Sequence, residues 1–149
     1  MSSATVMAIL TCALMVAACV WLHFVVLRTL WIMTQSVQAI NRPLVKIVFT
    51  LFGLHLFEVL LFAVAISVHE LAGFGRLAGD VGLSTSWFSD HFYFSIASYT
   101  SLGIGDVEPR GSLRLISGVE ALTGLILIAW SASFTYLLME KFWGLHHSS

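Results

Sequence analysis

Thr100-Ser101-Leu102-Gly103-Ile104-Gly105-Asp106 is a short polar stretch, punctuated by glycine, between two long apolar runs. Irregular backbone at membrane depth is tolerated only where protein buries it or where it lines a water-filled path. Two glycines alternating with larger residues let successive carbonyls turn toward one axis, because glycine accepts positive φ without a steric penalty. A ring of such carbonyls replaces the hydration shell of a cation. The stretch therefore implies a backbone-lined cation site within a bilayer.

The composition fits that setting. The chain has 149 residues, of which 58% are hydrophobic and 10% charged, and a mean hydropathy of +0.93. A soluble domain carries about 25% charged residues. The net charge of −1 provides no basic field for nucleic acid. A bilayer span needs about 20 mostly apolar residues, and Val6 to Val26, Ile47 to Val68 and Leu115 to Met139 qualify. The first has no preceding Lys or Arg and outruns the roughly 7–15-residue apolar core of a secretory signal, so it reads as a mature helix. Arg28, Arg42 and Lys46 flank an acid-free connection between the first two spans, which the positive-inside rule makes cytoplasmic. In a cell membrane the N-terminus and the segment from His69 to Arg114 are then outside, and the C-terminus with Lys141 is cytoplasmic. Trp31 and Phe142-Trp143 stand where interfacial aromatics are expected. Cys12 and Cys19, at i, i+7, share a helix face but lie too far apart to bridge, and read as packing residues.

Thr29 to Val45 reads either as a helical extension on the cytoplasmic interface, ended near Pro43, or as an ordinary loop. Leu71 to Ser86, with Gly73, Gly75, Gly79 and Gly82, reads as a turn-rich rise from the membrane. Trp87 to Thr100 is aromatic and apolar but too short to span. Ser89 suits a helix cap and Asp90 the first turn, which predicts a re-entrant helix over about 89–100. The chain then returns outward through 101–106, and Pro109 and Gly111 turn it into the last span.

That order, with the string T-S-L-G-I-G-D, resembles the tetrameric potassium-channel family and its signature T-T-V-G-Y-G-D. It looks most like the short prokaryotic members with one pore loop per chain and an extra N-terminal helix, often labelled two-pore-domain channels. Phe92-Tyr93-Phe94-Ser95 before the string, Pro109 after it and Glu120-Ala121-Leu122-Thr123-Gly124 in the last span carry the likeness further. The resemblance implies an all-α membrane protein with three transmembrane helices, a re-entrant pore helix and a selectivity-filter loop, assembling as a homotetramer in lipid. It implies passive, selective K⁺ conduction, with K⁺ as the permeant species and no cofactor. The alternatives are a weakly selective Na⁺/K⁺ channel and a non-conducting channel-like subunit. On this reading 1–46 holds the N-terminal helix and its connection, 47–143 the pore domain and 144–149 a short tail. Within the pore domain the outer helix is 47–68, the filter 101–106 and the inner helix about 113–140.

Residue by residue, the resemblance makes Thr100 the last pore-helix residue. Ser101 would offer hydroxyl and carbonyl to the innermost ion, with the carbonyls of Leu102, Gly103 and Ile104 forming the sites above. Gly105 would allow the outer turn and Asp106 would stand at the mouth. Gly124 lies where inner helices of the family often bend for gating. Two residues depart from the pattern. Ile104 replaces a tyrosine and Phe94 stands where many members carry tryptophan, so two polar ties behind the filter are expected to be missing. Packing of Ile104 against Tyr93, Phe94 or Tyr99 is the expected substitute.

Glu58 and Glu120 fall inside spans, where a carboxylate costs about 2.5 kcal/mol or more, so both should face protein, be protonated, or both. Glu120 is expected to support the pore helix through Tyr99, Ser95 or Ser98. His55 and Glu58, at i, i+3, share a face and read as a buried clasp onto the pore helix or as a proton-sensing or metal-binding pair. His23, His69 and His91 read as interfacial. Thr123, Gly124, Ser131 and Thr135 read as cavity-lining or as close-packing positions. The outer charges Glu70, Asp80, Asp90, Asp106 and Glu108, against Arg76, Arg110 and Arg114, read as a mildly acidic vestibule or as solvated loop charges. Neither a nucleophile with a partner base, a phosphate loop nor a metal-ligand set is recognisable, so an enzyme is not expected.

Overall fold

The structure, a computed structural model, describes residues 2–36, 43–79 and 87–143. Its elements are α1 (Ser3–Ser36), α2 (Pro43–Leu71), β1 (Gly75–Gly79), α3 (Trp87–Tyr99), β2 (Val107–Gly111) and α4 (Leu113–Trp143). Three of these helices, α1, α2 and α4, are long and apolar enough to cross a membrane, which makes this a helical membrane protein. In lipid every backbone polar group must be satisfied within the segment, so a spanning apolar run forms a helix. Both prolines respect this: Pro43 opens α2, where its missing N–H is not needed, and Pro109 lies in β2. Pro43 thus begins the second helix rather than ending an interfacial extension. Thr29 to Ser36 simply continues α1, and residues 37–42 lie outside the described residues.

Two apolar clusters stack along the bundle. One joins Cys12 and Cys19 of α1 to Phe62 and Ile66 of α2, Tyr99 of α3 and Leu127 of α4. The other joins Leu27 of α1 to Ile47, Leu51 and Leu54 of α2 and Leu138 of α4. The end of α1 therefore meets the start of α2 and the end of α4, so successive spans run in opposite directions. The two cysteines are free and buried, as packing residues should be.

The helix α3 touches only the first cluster. Its 13 residues extend about 20 Å, short of the roughly 30 Å hydrocarbon core. It starts at Trp87, two residues before Ser89, so Ser89 is a first-turn residue and not the cap. The segments on either side of α3 return to each other, because β1 and β2 pair antiparallel with Gly75 opposite Gly111 and Gly79 opposite Val107. This ribbon corrects the expected turn-rich rise. Pro109, expected to turn the chain into the last span, instead sits opposite Leu77, which an edge strand tolerates. Residues 80–86 lie outside the described residues. Many large apolar side chains face outward from the spans, among them Leu14, Trp21, Phe49, Phe52 and Leu122, surfaces suited to lipid or a neighbouring subunit.

Gly124 is a packing residue. A Cβ built there would overlap the carbonyl oxygen of Tyr99, so only glycine lets α4 lie against the end of α3. α4 is assigned as one helix from Leu113 to Trp143. Thr123 and Ser131 are likewise buried within the subunit, facing its own helices rather than open space.

Gly124→Ala sets a side-chain atom against rigid backbone and is expected to destabilise the fold by about 1–3 kcal/mol. Gly118→Ala, whose Cβ would meet nothing within 4 Å, should leave stability unchanged or slightly raised. Thermal unfolding of both variants in detergent, followed by circular dichroism, checks the contrast.

Candidate functional site

The C-terminus of α3 sets the backbone of the 100–106 stretch. The Ser101 N–H donates to the Ser98 carbonyl (2.9 Å) and the Leu102 N–H to the Ala97 carbonyl (2.9 Å). These are the two bonds of a Schellman cap, which requires a left-handed residue between helix and exit. Ser101 fills that place with φ 57°, a conformation costing a non-glycine residue about 1–2 kcal/mol. The Gly103 N–H also reaches the Ala97 carbonyl (3.2 Å). A trans peptide points each carbonyl opposite the following N–H, and no cis peptide occurs among the described residues. The carbonyls of Thr100, Ser101 and Leu102 therefore point away from α3.

The pattern continues outward. Gly103 and Gly105 have φ of 52° and 88°, so positive φ recurs at every second residue from 101 to 105. In an ordinary strand successive carbonyls alternate sides. Inverting every second residue cancels that alternation and brings successive carbonyls toward one side. The side chains of Leu102 and Ile104 are exposed on the isolated chain. Ile104 lines a small recess with Tyr93, Phe94 and Asp106, whereas the Tyr99 hydroxyl is engaged elsewhere.

Asp106 is anchored by the Tyr93 side chain, whose polar reach the sequence alone does not reveal. The Tyr93 hydroxyl donates to Asp106 Oδ2 (2.7 Å), and Oδ1 accepts the Val107 N–H (2.9 Å). Tyr93 thus supplies the tie expected to be lost with Phe94, which is buried in the apolar core. The hydrogen bond to the Asp106 carboxylate raises the Tyr93 phenol above its ordinary range and keeps it a donor.

Behind α3, two carboxylates hold it in place. The single hydroxyl proton of Ser95 is shared between Glu120 Oε1 and the Val59 carbonyl, 2.8 Å away, and Ser98 also acts on the Glu120 carboxylate, so two of the three partners expected for Glu120 are found. Glu120 Oε2 has no hydrogen-bond partner among the described residues. Ser98 bonds Ser117 of α4. Glu58 is fully buried and accepts the Tyr99 hydroxyl at Oε2 (2.6 Å). His55 Nδ1 lies 3.1 Å from the same oxygen, and His23 Nδ1 lies 3.0 Å from Oε1. Ser131 Oγ closes the cluster, 3.0 Å from His55 Nε2 and 3.2 Å from His23 Nε2.

The clasp expected of His55 and Glu58 is therefore wider than an i, i+3 pair. His23, read as interfacial, is fully buried and draws in α1, and Ser131 draws in α4. His69 and His91 are also buried. His69 Nδ1 lies 3.0 Å from the Ala65 carbonyl, and His91 Nε2 lies 2.7 Å from Glu70 Oε2. Of the outer charges, Glu70 also accepts the Leu77 N–H (3.0 Å) and Glu108 pairs with Arg110 (2.6 Å), so these belong to the ribbon's own structure. Asp80 lies outside the described residues.

Residues 54–141 match the model of a family described as ion channel. The chain belongs to that family. The match takes in most of α2, all of α3, the 100–106 stretch and nearly all of α4, so the elements around the stretch are those of a channel. No curated protein and no solved structure matches the channel. Its α1 precedes the matched region yet supplies His23 to the central cluster.

In the channel, Tyr93→Phe keeps the ring and removes the Asp106 donor. Amide exchange across 101–107 is expected to quicken several-fold, read by hydrogen–deuterium exchange with mass spectrometry. With the phenol's titration raised, the wild-type tie is complete at neutral pH and is lost only as pH rises past the ordinary phenol range. The protection it gives should therefore persist into alkaline buffer.

Proposed function

We propose that the channel conducts K⁺ selectively and passively as a homotetramer, with 101–106 from each subunit forming the filter around a central axis. The observation that carries this reading is positive φ at Ser101, Gly103 and Gly105, which brings successive carbonyls to one side. One such strand cannot enclose an ion, whereas four provide rings of carbonyl oxygens in place of the hydration shell. Ser101 adds its hydroxyl at the inner end, and Leu102, Gly103 and Ile104 contribute the carbonyls above it. Thr100 closes the pore helix, Gly105 gives the outer turn, and Asp106 holds the mouth. The negative end of the α3 dipole points at the permeating cation. On the positive-inside argument the β1–β2 ribbon is extracellular and the C-terminal end of α4 cytoplasmic.

A weakly selective Na⁺/K⁺ pore is the second reading. It rests on Ile104, whose side chain has no polar group to fasten the filter at the level where related channels carry tyrosine.

Planar bilayers holding the purified channel, with K⁺ on one side and Na⁺ on the other, separate the readings. A reversal potential close to the K⁺ equilibrium value is expected, and one near zero with clear current would establish the weakly selective pore. Ile104→Tyr should leave the relative permeability unchanged if position 104 does not limit selectivity. A shift toward K⁺ would show that it does.

A further inference from the structure

The cluster where the four helices meet contains a donor set that hydrogen bonding alone leaves one proton short. His23 Nδ1 faces Glu58 Oε1, and His55 Nδ1 faces Glu58 Oε2 and the Tyr99 oxygen together. Tyr99 donates to Glu58, and both Nε2 atoms face Ser131 Oγ. Counting the shared reach of His55 Nδ1 once, these are five contacts. Two neutral imidazoles, one phenol and one alcohol bring one proton each, four in all.

We propose that His23, His55 and Glu58 form a binding site for a divalent transition metal of the Zn²⁺ type, linking α1 to α2 behind the pore helix. Their ligand atoms lie within 4.8 Å of one another, and two imidazoles with one carboxylate are a common Zn²⁺ ligand set that leaves a fourth position open. The Tyr99 oxygen, 2.9 Å from His55 Nδ1, borders that position. A metal accepts both Nδ1 lone pairs and the carboxylate, which fixes both rings as Nε2–H donors. The two lone pairs of Ser131 Oγ then receive one N–H each, and Tyr99 still donates to Glu58. Every contact is satisfied; one proton added to one ring would satisfy the same five, so it is the kind and spacing of the ligand atoms that favour a metal. Two imidazoles anchored through their far nitrogens on one hydroxyl match the outer-shell support usual for metal-bound histidine. K⁺ and Mg²⁺ favour all-oxygen sites and do not suit this nitrogen-rich set. His23 and Glu58 are fully buried, and the His55 side chain, 18% exposed, gives the entry edge.

Equilibrium dialysis of the purified full-length chain in detergent against Zn²⁺ tests the site, and Co²⁺ reports its geometry by visible ligand-field absorption. One tightly held metal per chain is expected, lost in His23→Ala, His55→Ala and Glu58→Gln. Ser131→Ala keeps all three ligands and the packing, and should weaken binding roughly 10–100-fold, so the test does not depend on ligand variants that fail to fold. His91→Ala and a His146→Ala/His147→Ala variant should bind as wild type. The site is overturned if the wild type holds no stoichiometric metal, if Ser131→Ala binds as tightly as wild type, or if the His146/His147 variant loses the metal. The readout is independent of current, so it stands apart from the selectivity reading.

Discussion

A carboxylate in the middle of a bilayer has to be given partners by protein, because lipid provides none. Glu58 meets that demand with groups from two other helices and one from its own: His23, Tyr99 and His55. Ser131 completes the ring from the fourth helix. The position of α3 follows from this, since Tyr99 is the last residue of that helix and its hydroxyl is held on Glu58. The backbone that leaves α3 at Thr100 starts from a point fixed by a buried charge. Glu120 repeats the device one helical layer away through Ser95. Breaking such a clasp on one side is costlier than never having built it, because the remaining charge is stranded.

Much of this was legible in the residues. The three apolar runs are long enough that only helices crossing a membrane satisfy their backbones, and the G-x-G-D string with its short preceding helix led to an ion channel. Glu58 and Glu120 announced themselves as buried by their place within the runs. What escaped was long-range. His23 lies 35 residues from Glu58, on a helix whose crossing with α2 no periodicity specifies. Tyr93 reads from sequence alone as a packing neighbour of Ile104, because the phenol's reach to Asp106 depends on how the 100–106 backbone curls back. The β1–β2 ribbon escaped because Gly75–Gly79 and Val107–Gly111 are short, glycine-bearing segments that read alone as turns. Gly124 and Ser131 were ambiguous for a simpler reason. Small residues serve close packing and open cavities equally well, and only the partner across the gap distinguishes them.

The polar ties around 100–106 divide by depth. The inner end is fastened through the cap on α3, where backbone amides of Ser101, Leu102 and Gly103 are taken up by Ala97 and Ser98. The outer end is fastened through the Asp106 side chain to Tyr93, on the same helix. α3 therefore serves as a template for the whole stretch. Between the two fastenings the Ile104 side chain contributes only shape.

The contact at Gly124 has a mechanical consequence. Where two backbones touch without side chains between them, no rotamer change can take up a displacement, so the joint has almost no compliance. The placement of α4 and that of the turn at Thr100 are thus tied together where a single hydrogen atom stands in for a side chain.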